Sequence, residues 1–193
     1  MVSITSDNDN MFVINQLKLT IQESMLLKLL EEFYKNENNY SILKSIIGGD
    51  NLISRRTIEY FVTKYSNNEN TNYTLNLNGK TTKFNVYSSY KDKLKCHKKK
   101  YFDPFGRGDR IPFFTNSDCI ITTIGQLNFY KWFISKKIYD YCIENHSEIQ
   151  NSLLNNFSKK VKKQTGKKIP SYYKSVVRPQ YSAPMNLSVS FDI

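Results

Sequence analysis

The sequence predicts an α+β fold with a helical N-terminal part, two β-hairpins, a long central helix and an extended basic C-terminal arm. Three observations lead there. Apolar residues recur at helical spacing over 20–65 and again over 124–145. Two stretches between 72 and 122 alternate apolar and polar residues around short polar turns. Beyond residue 157, lysine runs and three prolines replace both patterns. With 193 residues, 39% of them hydrophobic, the chain has material for one real core. It reads as a disordered start over 1–10, a single mixed domain over 11–157 and a basic arm over 158–193. Within the domain, 11–66 is the helical part and 72–157 the part built from hairpins and the central helix.

The first helix is expected over 20–35. Thr20 and Glu23 have the spacing of a capping box, followed by Leu26, Leu27, Leu29, Leu30, Phe33 and Tyr34 at helical spacing. A second helix over 39–47 turns Ile42, Leu43, Ile46 and Ile47 inward and stops at Gly48-Gly49. Ser54 caps a third, with Ile58, Phe61, Val62 and Tyr65 as its apolar side. The segment "NYTLNLNGKTTKFNVYSSY" alternates up to Asn78-Gly79, a dipeptide suited to a two-residue hairpin turn, and resumes through Phe84, Val86 and Tyr87. Three helices and a hairpin have the outline of a winged helix, but "GGDNLIS" is longer than a helix-turn-helix connection, so core-packing helices are the preferred reading. "RIPFF" and "CIITT" around "TNSD" predict a second hairpin. Thr123, with Gln126 in the reciprocal capping position, opens a helix over about 124–145 that should be a pillar of the core, and a short helix near 147–157 leads into the arm.

Net charge is +11, and its placement matters more than its size. Nine Lys/Arg meet nine Asp/Glu over 1–90, eleven meet seven over 91–157, and eight meet one over 158–193. The excess peaks in "KDKLKCHKKK" (91–100) and "SKKVKKQTGKK" (158–168). Such runs attract polyanions, whose counterions are released on binding. The candidate nucleic-acid contacts are therefore Lys95, Lys98, Lys99, Lys100, Arg107 and Arg110 in the first cluster. Lys159, Lys160, Lys162, Lys163, Lys167 and Lys168 form the second. Tyr101, Phe102 and Phe105 lie among the first set, where they could stack on bases or anchor the core, as could Phe113 and Phe114. Asp103 is read as capping the Pro104 turn and Asp109 as pairing with an arginine.

Enzymatic classes lack their supports. With only His97 and His146, and no phosphate-cradling glycine loop, neither hydrolytic nor nucleotide chemistry has its usual residues. Cys142 and His146, four apart, could begin a zinc site. A buried cysteine beside a helix-end histidine is the simpler reading, and neither metal nor cofactor is expected. Cys96, Cys119 and Cys142 are widely spaced and odd in number, which argues for a reducing compartment. No run of apolar residues predicts a membrane span and no secretory leader is read at the start, so Arg107-Gly108-Asp109 is not expected to serve as an adhesion signal.

The blocks "KKYFDPFGRGDRIPFF", "ITTIGQLNFYKW" and "KIYDYCIENHSEI" give the chain a resemblance to an uncharacterised family of giant viruses, the nucleocytoplasmic large DNA viruses. That family's pattern pairs an Asp-Pro-Phe-x-Arg block with a Thr-Ile/Val-Gly-Gln-Leu-Asn-Phe block. The resemblance spans about Ile53 to Ile149, fits the asparagine-rich composition, and brings no established activity to transfer. Gly106 stands where the pattern has a cysteine, which weakens a metal or redox role for the block. The resemblance implies a viral protein of the virion or of cytoplasmic factories. Combined with the charge layout, it leads to a non-enzymatic nucleic-acid-binding protein, with DNA favoured over RNA. The alternative is a minor structural or assembly protein of the virion whose C-terminal arm meets other virion proteins.

Overall fold

The structure, a computed structural model, describes residues 19–77, 79–115 and 118–165, with side chains through Ser158 apart from Leu77. The chain divides into two units, Met1–Leu153 and Leu154–Ile193. The expected disordered start and most of the C-terminal arm lie outside the described residues.

Helix α1 (Ile21–Tyr34) opens on the predicted capping box: the Thr20 hydroxyl accepts the Glu23 N–H at 3.2 Å, and the Glu23 carboxylate accepts the Thr20 N–H at 2.9 Å. Helix α2 (Glu37–Gly48) begins at Asn36, a cap the sequence reading overlooked. It ends where Gly49 takes φ +89°, a conformation that glycine adopts without steric cost. Helix α3 (Arg55–Tyr60) is capped by Ser54 as expected, then widens into a π-helical segment, Phe61–Tyr65, and closes with an α turn, Ser66–Asn68. The wider turn brings Phe61, Val62, Tyr65 and Ser66 all into the interior.

Strands β1 (Asn72–Leu77) and β2 (Lys80–Asn85) pair antiparallel, with Leu77 opposite Lys80, which leaves the predicted two-residue turn. The alternation was expected to continue through Val86 and Tyr87, and it does not. The Asn85 side chain accepts the Ser88 N–H at 2.7 Å and starts helix α4 (Val86–Cys96), so the first six residues of the lysine run are helical. Local capping chemistry overrides the strand pattern at that point. The second hairpin, β3 (Ile111–Thr115) with β4 (Asp118–Thr122), forms in the predicted place, and Lys44 ties α2 to it through an ion pair with Asp118.

Helix α5 (Ile124–Ser135) is the pillar. Ten of its twelve residues are buried, from Ile124 to Ile134 with Lys131 as the gap, so the helix is enclosed on nearly every side. It packs against α1, α2 and the loop that follows α4, and Tyr34 on α1 donates its hydroxyl to the Leu127 carbonyl at 2.8 Å. The expected single helix to residue 145 is in fact two. Lys137 sits at φ +58°, breaking the path between α5 and α6 (Ile138–Glu144). The Tyr73 hydroxyl of the first hairpin donates to the Lys136 carbonyl at 2.7 Å and satisfies the interrupted end.

Helix α7 (His146–Thr165) is longer than the short helix expected near 147–157 and carries Ser158–Thr165 as helix where an extended arm was anticipated. His146 opens α7 instead of ending the helix that holds Cys142, so the two belong to different helices. Gln150, Ser152 and Glu148 of α7 bond Thr57, Tyr60 and Tyr65 respectively. No helix among the described residues is long and apolar enough to cross a membrane.

Candidate nucleic-acid interface

The first cluster of predicted contacts falls on one continuous path: the end of α4, a short 3₁₀ turn at Lys99–Tyr101, and a loop through Arg110 into β3. The path has two faces because the loop is bolted down on one side. Pro104 presents its carbonyl to both the Gln126 side-chain amide at 3.2 Å and the Tyr130 hydroxyl at 3.0 Å. Asn128 donates to the Tyr101 carbonyl at 2.8 Å, and the Asp103 N–H to the Gly125 carbonyl at 3.2 Å. Gln126 was expected to complete a capping box with Thr123. Its backbone N–H does bond Thr123, but its side chain serves Pro104 and Thr122 instead.

Two glycines make the close approach possible. A Cβ on Gly125 would lie 2.5 Å from the Lys100 carbonyl oxygen, a contact no side chain tolerates. Gly106 has φ +63°, and a Cβ there would lie 2.3 Å from the Gln126 side-chain oxygen. The Asp-Pro-Phe-Gly-Arg and Gly-Gln-Leu-Asn-Phe segments thus form one clasp.

Asp103 holds the loop's charge inward. Its carboxylate, buried to 7% side-chain exposure, accepts from the Arg107 Nε at 3.2 Å, Nη2 at 2.8 Å and backbone N–H at 3.1 Å. Burial pushes its pKa up, but the combined donation from Arg107 outweighs this and leaves it below the ordinary aspartate value. Asp103 therefore pairs with Arg107 in addition to turning the loop, and Asp109 pairs with Lys100 at 3.2 Å, where an arginine was expected. Lys100 also reaches Glu23 at 3.4 Å, and the Tyr101 hydroxyl donates to the same carboxylate at 2.8 Å. The Thr20 backbone N–H, then despite burial the Tyr101 hydroxyl, the Thr20 hydroxyl and Lys100, lower the Glu23 pKa to about 2. Glu23 is thus both the cap of α1 and the anchor of the 3₁₀ turn. Sequence spacing revealed the first role and gave no signal for the second.

Of the predicted cations, Lys100 and Arg107 are spent on this scaffold. Lys95 is exposed and makes a 3.7 Å pair with Asp92 on the same helix, an interaction of little strength at such exposure. Lys98, Lys99 and Arg110 are exposed and make no ion pair among the described residues. Exposed Lys91 and half-buried Lys93 stand on α4; the helical start signalled by Asn85 could have placed them on the same element. His97, stacked on Phe102 at 6.0 Å, has its pKa lowered by burial and then by Lys93, so it adds a neutral ring at neutral pH. In the second cluster, Lys159, Lys160, Lys162 and Lys163 stand on α7, while Lys167 and Lys168 lie outside the described residues. Among the described residues no group of three or more His, Cys, Asp or Glu is placed to hold a metal.

The aromatic residues divide differently from the lysines. Phe102 and Phe113 are 2% and 1% exposed and belong to the core. Phe102 meets Phe129 at 5.1 Å and Trp132 at 5.4 Å, and Phe113 meets Tyr34 at 5.8 Å.

The arrangement defines an α+β protein with a rigid loop-on-helix scaffold and an uncompensated lysine edge. The chain belongs to a family of unknown function, DUF7197, which matches residues 4–182. It is 36% identical over 155 residues to an uncharacterised protein, L507, of Acanthamoeba polyphaga mimivirus, covering 77% of this chain and 60% of that relative's length. The kinship with a giant-virus protein agrees with the resemblance read from the sequence. No solved structure matches.

Proposed function

We propose that this chain is a non-enzymatic nucleic-acid-binding protein of a giant virus, associated with the genome in the cytoplasmic factory or the virion. The observation that supports it is the imbalance along the 98–110 path. Its acids, Asp103 and Asp109, are neutralised by Arg107 and Lys100, while Lys98, Lys99 and Arg110 keep their charge toward solvent. Phosphates are the polyanions such an edge recruits, through release of condensed counterions. The lysines on α7 and in the tract beyond it supply a second attractive segment. The paired Asp-Pro-Phe-Gly-Arg and Thr-Ile-Gly-Gln-Leu-Asn-Phe blocks are read as the family's structural signature, present to build the scaffold and not to perform chemistry.

The test is a titration of the full chain against DNA and RNA at several salt concentrations. Affinity should fall steeply with salt, and Lys98→Glu with Lys99→Glu should weaken binding and flatten the dependence by about one phosphate per lysine. Affinity that stays level between low and moderate salt, or that survives these changes together with Lys159→Glu, Lys160→Glu, Lys162→Glu and Lys163→Glu, overturns the reading.

A further inference from the structure

We infer, on the basis of the nucleic-acid reading above, that the loop edge takes duplex DNA through its phosphates alone and offers no platform for unpaired bases. Single-strand binding without sequence preference depends on aromatic faces beside the cations, on which bases stack. The sequence sets such rings beside Lys98–Lys100; the fold buries Phe102 and leaves Tyr101 and Phe105 half-buried with a cation over each ring. Phe102 is buried with Tyr90, His97, Phe129 and Trp132 around it. Tyr101 has its hydroxyl committed to Glu23 and Lys100 over its ring at 5.5 Å. The half-buried Phe105 ring is covered at 5.3 Å by the Arg107 guanidinium, which Asp103 holds in place. Trp132, 3% exposed, gives its ring N–H to Ser89 at 3.0 Å.

What remains outside is mainly cationic: Lys98, Lys99 and Arg110, with Lys91 and the Asp92-paired Lys95 on α4 and Lys93 half-buried beside them. A surface that can offer only charge prefers the form with denser charge. Duplex DNA carries one phosphate per about 1.7 Å of axis, against about 3.4 Å along one strand. The contacts are to the backbone, so they carry no base sequence.

The experiment compares a 20-base-pair duplex with each of its single strands, binding to full-length protein at fixed salt, with 2-aminopurine in the strands to report stacking. To read the loop edge apart from the three tyrosines of the C-terminal tract, it is repeated with Tyr172→Ala, Tyr173→Ala and Tyr181→Ala. The duplex should bind about tenfold tighter with the steeper salt slope, near −0.9 against −0.7 per phosphate. Scrambling its sequence should change affinity less than twofold, and Phe105→Leu should leave it unchanged. Equal or tighter single-strand binding with a 2-aminopurine change, or a tenfold loss of single-strand affinity in a folded Phe105→Leu protein, overturns the duplex inference while leaving nucleic-acid binding standing. Absence of binding to duplex and strands alike removes both.

Discussion

The two halves of the span 95–107 differ in composition and in fate. Lys95–Lys99 brings three lysines and His97 and stays at the surface, whereas Tyr101–Arg107 brings three Phe/Tyr rings and one arginine and is held by α5 through four hydrogen bonds to its backbone. The difference lies in what each half finds opposite it. The later half meets Gly125, Gln126, Asn128 and Tyr130, which provide room and hydrogen-bonding groups together. The earlier half ends a helix whose final turns are lysine-rich. A basic-aromatic run is therefore no single functional unit: the fold assigns Phe102 to the interior, leaves Tyr101 and Phe105 half-buried, and gives part of the charge to solvent.

This contrast can be broken most severely at Phe102. Phe102→Ala removes the ring that joins the loop to Phe129 and Trp132 and should cost about 3–5 kcal/mol, read from urea unfolding. Gly125→Ala comes next. Its Cβ collides with the Lys100 backbone, and the forced separation should cost about 1–3 kcal/mol and speed proteolysis between Lys98 and Arg110. An unchanged unfolding midpoint for either variant means that the loop is not clasped to α5.

Glu23 sharpens the comparison through pH. Its folded pKa, about 2, lies below the ordinary value of 4.5, so its contribution is complete above about pH 4.5 and is lost as pH falls toward 2. Glu23→Gln should be less stable than the parent at pH 7, and the gap should close through that window. Urea midpoints measured from pH 7 to pH 2 check this, and a gap that persists at pH 2 assigns the loss to packing. The smallest effect on stability belongs to the outer half: Lys98→Ala with Lys99→Ala should shift unfolding by no more than about 0.5 kcal/mol while reducing affinity for DNA. A large stability loss there would give these lysines a structural role.

Elements with a local chemical cause were legible. Thr20 with Glu23, Ser54, Thr123 and the turn at Asn78-Gly79 each set a boundary through groups a few residues apart, and the structure keeps those boundaries. The candidate site was legible only as a charge excess. Which lysines keep their charge outward depends on partners such as Glu23, 77 positions from Lys100, and spacing carries no record of such a meeting. The break at Lys137 was hidden for a similar reason. A lysine at φ +58° is unfavourable by itself by about 1–2 kcal/mol, and the bond from Tyr73 to the Lys136 carbonyl is among the contacts that hold the broken end.

The α+β class, the starts of most helices and of both hairpins, and the strongly basic second half are all readable from the residues alone. These follow from short-range periodicity, capping and composition. The scaffold role of Arg107 and Lys100, the burial of Phe102 and the exposure of Lys98, Lys99 and Arg110 come from packing in three dimensions. Burial and ion pairing are settled by groups that fold from distant positions into contact, and the free energy of a charge depends on what stands beside it.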